Sequence, residues 1–280
     1  MMNNEKSHKE VVLETKIMNL VDEIASEIGD PTPKNIAQML IGNNELKALH
    51  DYANIVSIVR LSMNDHGPVH MKKVCYNALK IMRLLHNAGI ATSLETEQAG
   101  TFADSLSAVI LAAILHDCGM TVGRKEHELY SGIIVYGMMT DILLQTLPGD
   151  DNAARRVVIR SLALEGIFGH MGTRPIHSLE AGVILVADGC DMTKGRARVP
   201  LEIPKKPSGG DIHKYSAHAI ETVRIKAGSE RPVMIEIEMQ SEVGFFQVEE
   251  VLIPKIASSP ARHLFSLSAC VIGQEMKQYL

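Results

Sequence analysis

Apolar residues recur at helical spacing along most of the chain. In residues 10–28 they return about every 3.6 positions, and the pattern stops at Gly29. The segment after Gly67 carries a similar apolar stripe, from Val74 to Ala88. Thr32 is placed to cap the second helix. The same spacing predicts further helices over residues 33–41, 44–62, 106–116, 126–144, 153–165 and 178–191.

The pattern changes after Pro200. The run EIPKKPSGGD is rich in proline, glycine and lysine, which is typical of a linker. The segments IETVRIKAG, PVMIEIEMQ and GFFQVEE then alternate apolar and polar residues, which predicts three strands with a hairpin turn at residues 241–244. The last alternating run, HLFSLSACVI, predicts another strand.

These patterns predict a mainly α protein: a helical bundle with a small, strand-rich C-terminal α+β subdomain. The predicted organisation is an N-terminal helical segment (1–43), a helical domain (44–200), a linker (201–216) and the C-terminal subdomain (217–280).

Composition narrows the class of protein. With 280 residues, 46% of them hydrophobic, the chain can bury a core, and the net charge of −5 gives no overall attraction to nucleic acid or to an anionic membrane. The four cysteines are widely spaced and form no CxxC pair. The N-terminus is polar and no segment approaches the roughly 20 apolar residues of a membrane span, so we expect a cytoplasmic protein without a membrane partner.

Several ionisable residues lie where a helix should be buried. His116 and Asp117 follow eight consecutive apolar residues, Asp188 follows seven apolar or small ones, and His70 begins the inward stripe of its own helix. A single histidine on an apolar face is more often a hydrogen-bonded core residue. A buried charge, however, is costly unless it is paired or coordinated, and several such positions together favour a divalent metal site.

The strings HMKKV, ILHDCG and VADGCDMTKGR, in this order, resemble the HD superfamily of metal-dependent phosphohydrolases over residues 44–200. The resemblance implies an HD-type all-α bundle in which His70, His116, Asp117 and Asp188 bind one divalent metal. Members with additional histidines bind a second metal, and the strings HELYS and GHMG are similar to the places where those histidines occur. The implied ligands of the second metal are His127 and His170, with His177 and His66 as weaker candidates.

One position departs from the family's pattern. Many members have a lysine shortly after the doublet, whereas this chain has Met120, which leaves the contact to a substrate phosphate without its usual residue. The candidates for that contact are Arg124, Arg60 and the basic residues of the run TKGRAR, namely Lys194, Arg196 and Arg198. The competing interpretation of that run is a solvated basic turn.

The predicted function is hydrolysis of a small phosphoester, a nucleotide or related molecule, whether a monoester or a diester. One or two divalent ions (Fe, Mn, Ni, Zn or Mg) would activate water, with His116 and Asp117 as the candidate catalytic residues. The chain contains no P-loop and no dinucleotide-binding glycine pattern. The alternative is a non-catalytic regulatory module that binds metal and nucleotide. The C-terminal strands offer an edge through which the chain could form a homo-oligomer.

Overall fold

The computed structural model describes residues 6–192 and 211–280. The chain is mainly helical, as the sequence predicts, and its C-terminal part forms a small four-stranded sheet. Lys194, Arg196 and Arg198, three of the predicted phosphate contacts, lie outside the described residues. The helices before the sheet are α1 (His8–Ile28), α2 (Thr32–Ile41), α3 (Asn44–Ile55), α4 (Pro68–Asn87), α5 (Ser93–Thr96), α6 (Phe102–Leu115), α7 (His127–Thr146), α8 (Ala153–Gly169) and α9 (Leu179–Gly189).

Local sequence signals set most of these helix ends. Ser7 and Glu10 form a reciprocal capping box at the start of α1, and Gly29 ends that helix in a left-handed conformation (φ 71°). Two predicted details are wrong. Thr32 is the first residue of α2, so the N-cap is Pro31, and Asp30 Oδ1 accepts the Thr32 N–H at 2.9 Å. The third helix is α-helical only to Ile55 and continues as a π-helical turn, Val56–Arg60.

Helix α6 is the centre of the bundle. All its residues are buried, and it packs against α2, α4, α8 and α9. The stretch Phe102–Thr121, which includes α6 and the turn after it, is long and apolar enough to cross a membrane by length and composition, and its most apolar window is entirely buried inside the protein. Burial on every side explains why this helix has no polar face.

The C-terminal part begins with helix α10 (Asp211–Ala219) and forms one sheet in the order β1-β2-β3-β4. The strands are β1 (Ile220–Ala227), β2 (Val233–Met239), β3 (Phe265–Val271) and β4 (Lys277–Gln278). β1 and β2 are antiparallel, β2 and β3 are parallel, and β3 and β4 are antiparallel. The apolar residues of the sheet and of the bundle belong to one continuous core, in which β1 packs against α4.

The predicted strand at residues 244–250 and its hairpin turn are wrong. This stretch is helical and continues into helix α11 (Ile253–Ser258). A parallel pair of strands needs a crossover connection, and these residues are part of the crossover from β2 to β3. The apolar residues Phe245, Val248 and Leu252 also follow a helical spacing, so a short run of this kind satisfies both patterns.

Candidate metal centre

His116 and Asp117 follow the last residue of α6 and precede a tight turn, Cys118–Thr121. Gly119 in this turn lets the doublet approach α7 closely: a side chain there would collide with the backbone of His127 and Ser131. Ser131 Oγ accepts the Gly119 N–H at 2.7 Å. The turn and α7 are thus in direct backbone contact, which brings His127 beside Asp117.

Four side chains from three helices form what we call the first cluster. Its ligand atoms are Nε2 of His70 and His116, Oδ2 of Asp117 and Oδ1 of Asp188. His70 Nε2 lies 3.2 Å from His116 Nε2 and 3.3 Å from each of the two carboxylate oxygens. His116 Nε2 lies 3.5 Å from the Asp117 oxygen and 3.8 Å from the Asp188 oxygen. All four side chains are buried.

The other oxygen of Asp117 belongs to the second cluster, together with Nε2 of His127 and His170. Asp117 Oδ1 lies 3.0 Å from His127 Nε2 and 3.3 Å from His170 Nε2, and the two nitrogens are 3.1 Å apart. His127 begins α7 and His170 follows α8. Asp117 therefore bridges the two clusters, one oxygen to each.

The hydrogen bonds of the four histidines determine which ring nitrogen carries the proton. Each Nδ1 faces an oxygen that can only accept, so each Nδ1 carries the hydrogen and each Nε2 presents a lone pair to its cluster. The acceptors are Asp191 Oδ2 for His70 (2.8 Å), the Ala113 carbonyl for His116 (3.0 Å), the Arg124 carbonyl for His127 (2.9 Å) and the Ile167 carbonyl for His170 (2.7 Å).

These lone pairs and carboxylate oxygens repel one another unless a cation lies between them. Among the described residues, no group donates a hydrogen bond to Asp117 Oδ1, although the atom is buried. Ligand atoms bound to one ion at about 2.1 Å are about 3.0–3.5 Å apart, close to the separations in both clusters. Buried groups of this composition could hold a metal ion.

The electrostatic environment keeps the ligands in their metal-binding forms. Burial lowers the pKa of His116 to about 3, so its imidazole is neutral at pH 7. Burial raises the pKa of Asp188, but the neighbouring charges, above all the Lys255 ammonium, outweigh burial and hold that pKa well below its usual range, so this carboxylate is ionised.

Two residues beside the clusters were not predicted from the sequence. Asp191 accepts the Nδ1–H of His70 and fixes the orientation of that ring. Lys255 of α11 forms an ion pair with Asp188 Oδ2. Asp191 lies three residues after Asp188, and this helical spacing could have identified it. Lys255 follows the stretch that was predicted as a strand, and nothing in the sequence pattern linked it to the metal centre.

The remaining candidate ligands lie outside the two clusters. His66 is buried and its ring contacts that of His70 edge-on, with centroids 5.8 Å apart, while its Nδ1 donates to the Asn64 carbonyl. His177 is exposed. Cys118, beside the doublet, is fully buried, and burial raises the pKa of its thiol.

The described candidates for the phosphate contact differ in position. Arg124 lies at the second cluster, where its Nη1 is 3.4 Å from His127 Nε2. Arg60 is exposed and donates to the Tyr52 hydroxyl at 3.1 Å. Met120, which departs from the pattern of the family that the sequence resembles, is fully buried.

The chain is similar in sequence to a protein of Methanocaldococcus jannaschii. It is 39% identical over 239 residues to the uncharacterized protein MJ1020 of Methanocaldococcus jannaschii, covering 85% of this chain and 89% of that protein. The chain therefore belongs to the same family as MJ1020. No protein-family profile and no solved structure match it.

Proposed function

We propose that this protein is a metal-dependent phosphohydrolase of the HD type. The observation that carries the proposal is the bridging position of Asp117, whose two oxygens face two separate sets of unprotonated imidazole nitrogens. The order of the ligands along the chain and their positions at helix ends also support it. Divalent ions in such a site lower the pKa of a coordinated water and stabilise negative charge on phosphoryl oxygens.

The protein's own residues supply position and charge. Asp117 and Asp188 contribute the negative charge that holds cations, and the neutral imidazoles contribute lone pairs. Asp191 and three backbone carbonyls hold the four rings in fixed orientations. Such preorganisation reduces the rearrangement needed when negative charge develops on a substrate.

The substrate class we propose is a small phosphoester, such as a nucleotide. Two clusters favour two divalent ions, and mixed imidazole and carboxylate ligands suit Fe, Mn, Ni or Zn better than Mg. The four cysteines are free and buried, which fits a reducing compartment, so we propose that the protein acts in the cytoplasm.

Hydrolysis of p-nitrophenyl phosphate by protein loaded with Mn²⁺, Zn²⁺ or Fe²⁺ tests the proposal. Metal content per chain is measured on the same samples by mass spectrometry. We expect metal-dependent release of p-nitrophenol that is abolished by a chelator and by His116→Ala, because that variant lacks a ligand of the first cluster.

His263→Ala is the matched control, because His263 is an exposed histidine that belongs to neither cluster. Equal activity in wild type and His116→Ala would reject the proposal. Stoichiometric metal and nucleotide binding without turnover of any ester would instead identify the regulatory module that is the alternative function.

A further inference from the structure

Lys255, in the C-terminal part of the chain, lies beside the metal centre. Its ammonium group pairs with Asp188 Oδ2 and donates to the His170 carbonyl at 2.9 Å. The side chain is 12% exposed. Asp188 belongs to the first cluster and His170 to the second, so this one cation contacts residues of both.

Two glycines of α9 allow the segment that carries Lys255 to pack closely against this helix. Gly189, directly after Asp188, has no side chain, and a Cβ there would lie 3.0 Å from Leu252 Cδ1 and 3.2 Å from Lys255 Cδ. Gly182, two turns earlier, would collide with Ser259 if it carried a side chain. Close packing on two glycines holds the segment that carries Lys255 in place.

Arg124 is the corresponding cation of the second cluster. Besides its contact with His127, it donates from Nη2 to Met171 Sδ at 3.5 Å. Lys255 contacts the preceding residue, His170, through its carbonyl. Both cations therefore contact the turn after α8. Lys255 also contacts Asp188 of the first cluster, and Arg124 also contacts His127 of the second.

We propose that Lys255 and Arg124 bind the non-reacting oxygens of a phosphomonoester at this centre. This inference rests on the proposed function and narrows its substrate class. A phosphomonoester carries a charge of about −1.5 to −2 at pH 7, with three terminal oxygens, whereas a diester carries a single negative charge and has two such oxygens. Two cations beside a pair of metal positions favour the monoester.

The test is binding of inorganic phosphate, which requires no turnover. Calorimetric titration of Mn²⁺-loaded full-length protein is compared among wild type, Lys255→Gln, Lys255→Arg and Arg124→Gln. Glutamine at position 255 keeps a donor for the His170 carbonyl and removes the charge. Lys277→Gln is the matched control, because Lys277 is a lysine of the same C-terminal region that pairs with Glu249 at the surface.

We expect Lys255→Gln and Arg124→Gln each to weaken phosphate binding about 10- to 100-fold, as for the loss of a hydrogen bond to a charged group. Lys255→Arg should stay within a few-fold of wild type, and Lys277→Gln should equal wild type. In variants that retain turnover, the ratio of p-nitrophenyl phosphate to bis-p-nitrophenyl phosphate hydrolysis should fall by a similar factor.

Unchanged phosphate affinity in Lys255→Gln overturns the inference, and so does wild-type protein that binds metal but no phosphate. Loss of bound Mn²⁺ from Lys255→Gln also overturns it, because Lys255 would then act by positioning Asp188. If phosphate binding follows the expected pattern but no ester is hydrolysed, the phosphate site stands and the proposed hydrolase function fails.

Discussion

The two clusters share Asp117 but differ in how completely they are built. The first has four ligand atoms, and a carboxylate, Asp191, supports one of its rings. The second has three ligand atoms, and backbone carbonyls support both of its rings. A carboxylate partner makes an imidazole a stronger ligand than a carbonyl partner does. We therefore expect the first cluster to bind its ion more tightly and the second to exchange its ion more readily.

The largest effect is expected where the clusters join. Asp117→Asn removes the negative charge that both clusters share, so both ions should be lost and hydrolysis should fall about a thousandfold. Metal content per chain and p-nitrophenyl phosphate turnover measure these outcomes. The control is Asp141→Asn, an exposed aspartate of α7. Retention of two tightly bound ions by Asp117→Asn would contradict the bridging role.

Single ligands separate the clusters. His170→Ala should release the ion of the second cluster and keep the other, because the four ligand atoms of the first cluster remain. His70→Ala should release the tightly bound ion. Titration with a competing chelator measures the affinity of each remaining ion. If His170→Ala loses the tighter ion, our ranking of the clusters is reversed.

The carboxylates beside the Nδ1 atoms of the ligand histidines are expected to have a smaller effect on metal binding. Asp191→Asn should weaken metal binding at the first cluster about 10- to 100-fold, because the His70 ring loses its carboxylate partner. Glu128→Gln is the matched variant at the second cluster, where Glu128 Oε2 lies 3.3 Å from His127 Nδ1. Its effect should be smaller, since the Arg124 carbonyl still accepts that hydrogen at 2.9 Å. Equal losses in both variants would remove the distinction between carboxylate and carbonyl support.

The smallest effect concerns a buried histidine outside both clusters. His50 donates from Nε2 to the Ile114 carbonyl at 2.8 Å, and burial lowers its pKa to about 4. Because the pKa is lower in the folded than in the unfolded state, stability is full above about pH 6.5 and is lost as the pH falls toward 4. Lowering the pH from 7.5 to 5.5 should therefore reduce the free energy of unfolding by about 1.3 kcal/mol through the protonation of His50 in the unfolded state.

Urea unfolding of metal-free wild type and His50→Gln at both pH values measures this contribution. Glutamine can donate to the Ile114 carbonyl but does not titrate, so its loss of stability over this range should be smaller than that of wild type by about the same amount. Parallel losses in the two proteins would show that His50 does not contribute.

Much of the fold follows from local patterns. Apart from α3, which ends early, and α5, which was not predicted, the helices of the bundle begin and end within a few residues of their predicted bounds, because capping residues, glycines and apolar spacing act over a few positions. The stretch at residues 244–250 was predicted wrongly because its short apolar run is compatible with the period of a strand and with that of a helix. Its structure depends on the parallel pairing of β2 and β3, which is a long-range feature.

The candidate site divides in the same way. His116, Asp117 and Asp188 could be identified because each follows a long apolar run, and a buried charge needs a partner. Gly119 is also necessary, because only a residue without a side chain allows the turn to approach α7 this closely. In the sequence, however, a glycine after a helix indicates no more than an ordinary helix end. Its role is visible only once α7 lies against it.

By itself, the sequence determined most helices of the bundle and which buried positions carry charge, since periodicity and desolvation operate on neighbouring residues. Only the tertiary structure decided that Asp117 directs its two oxygens to two clusters and that Lys255 lies beside them. These contacts join residues dozens of positions apart, and packing across the whole core sets their distances. A pattern read along one segment contains no information about which distant segment will lie against it.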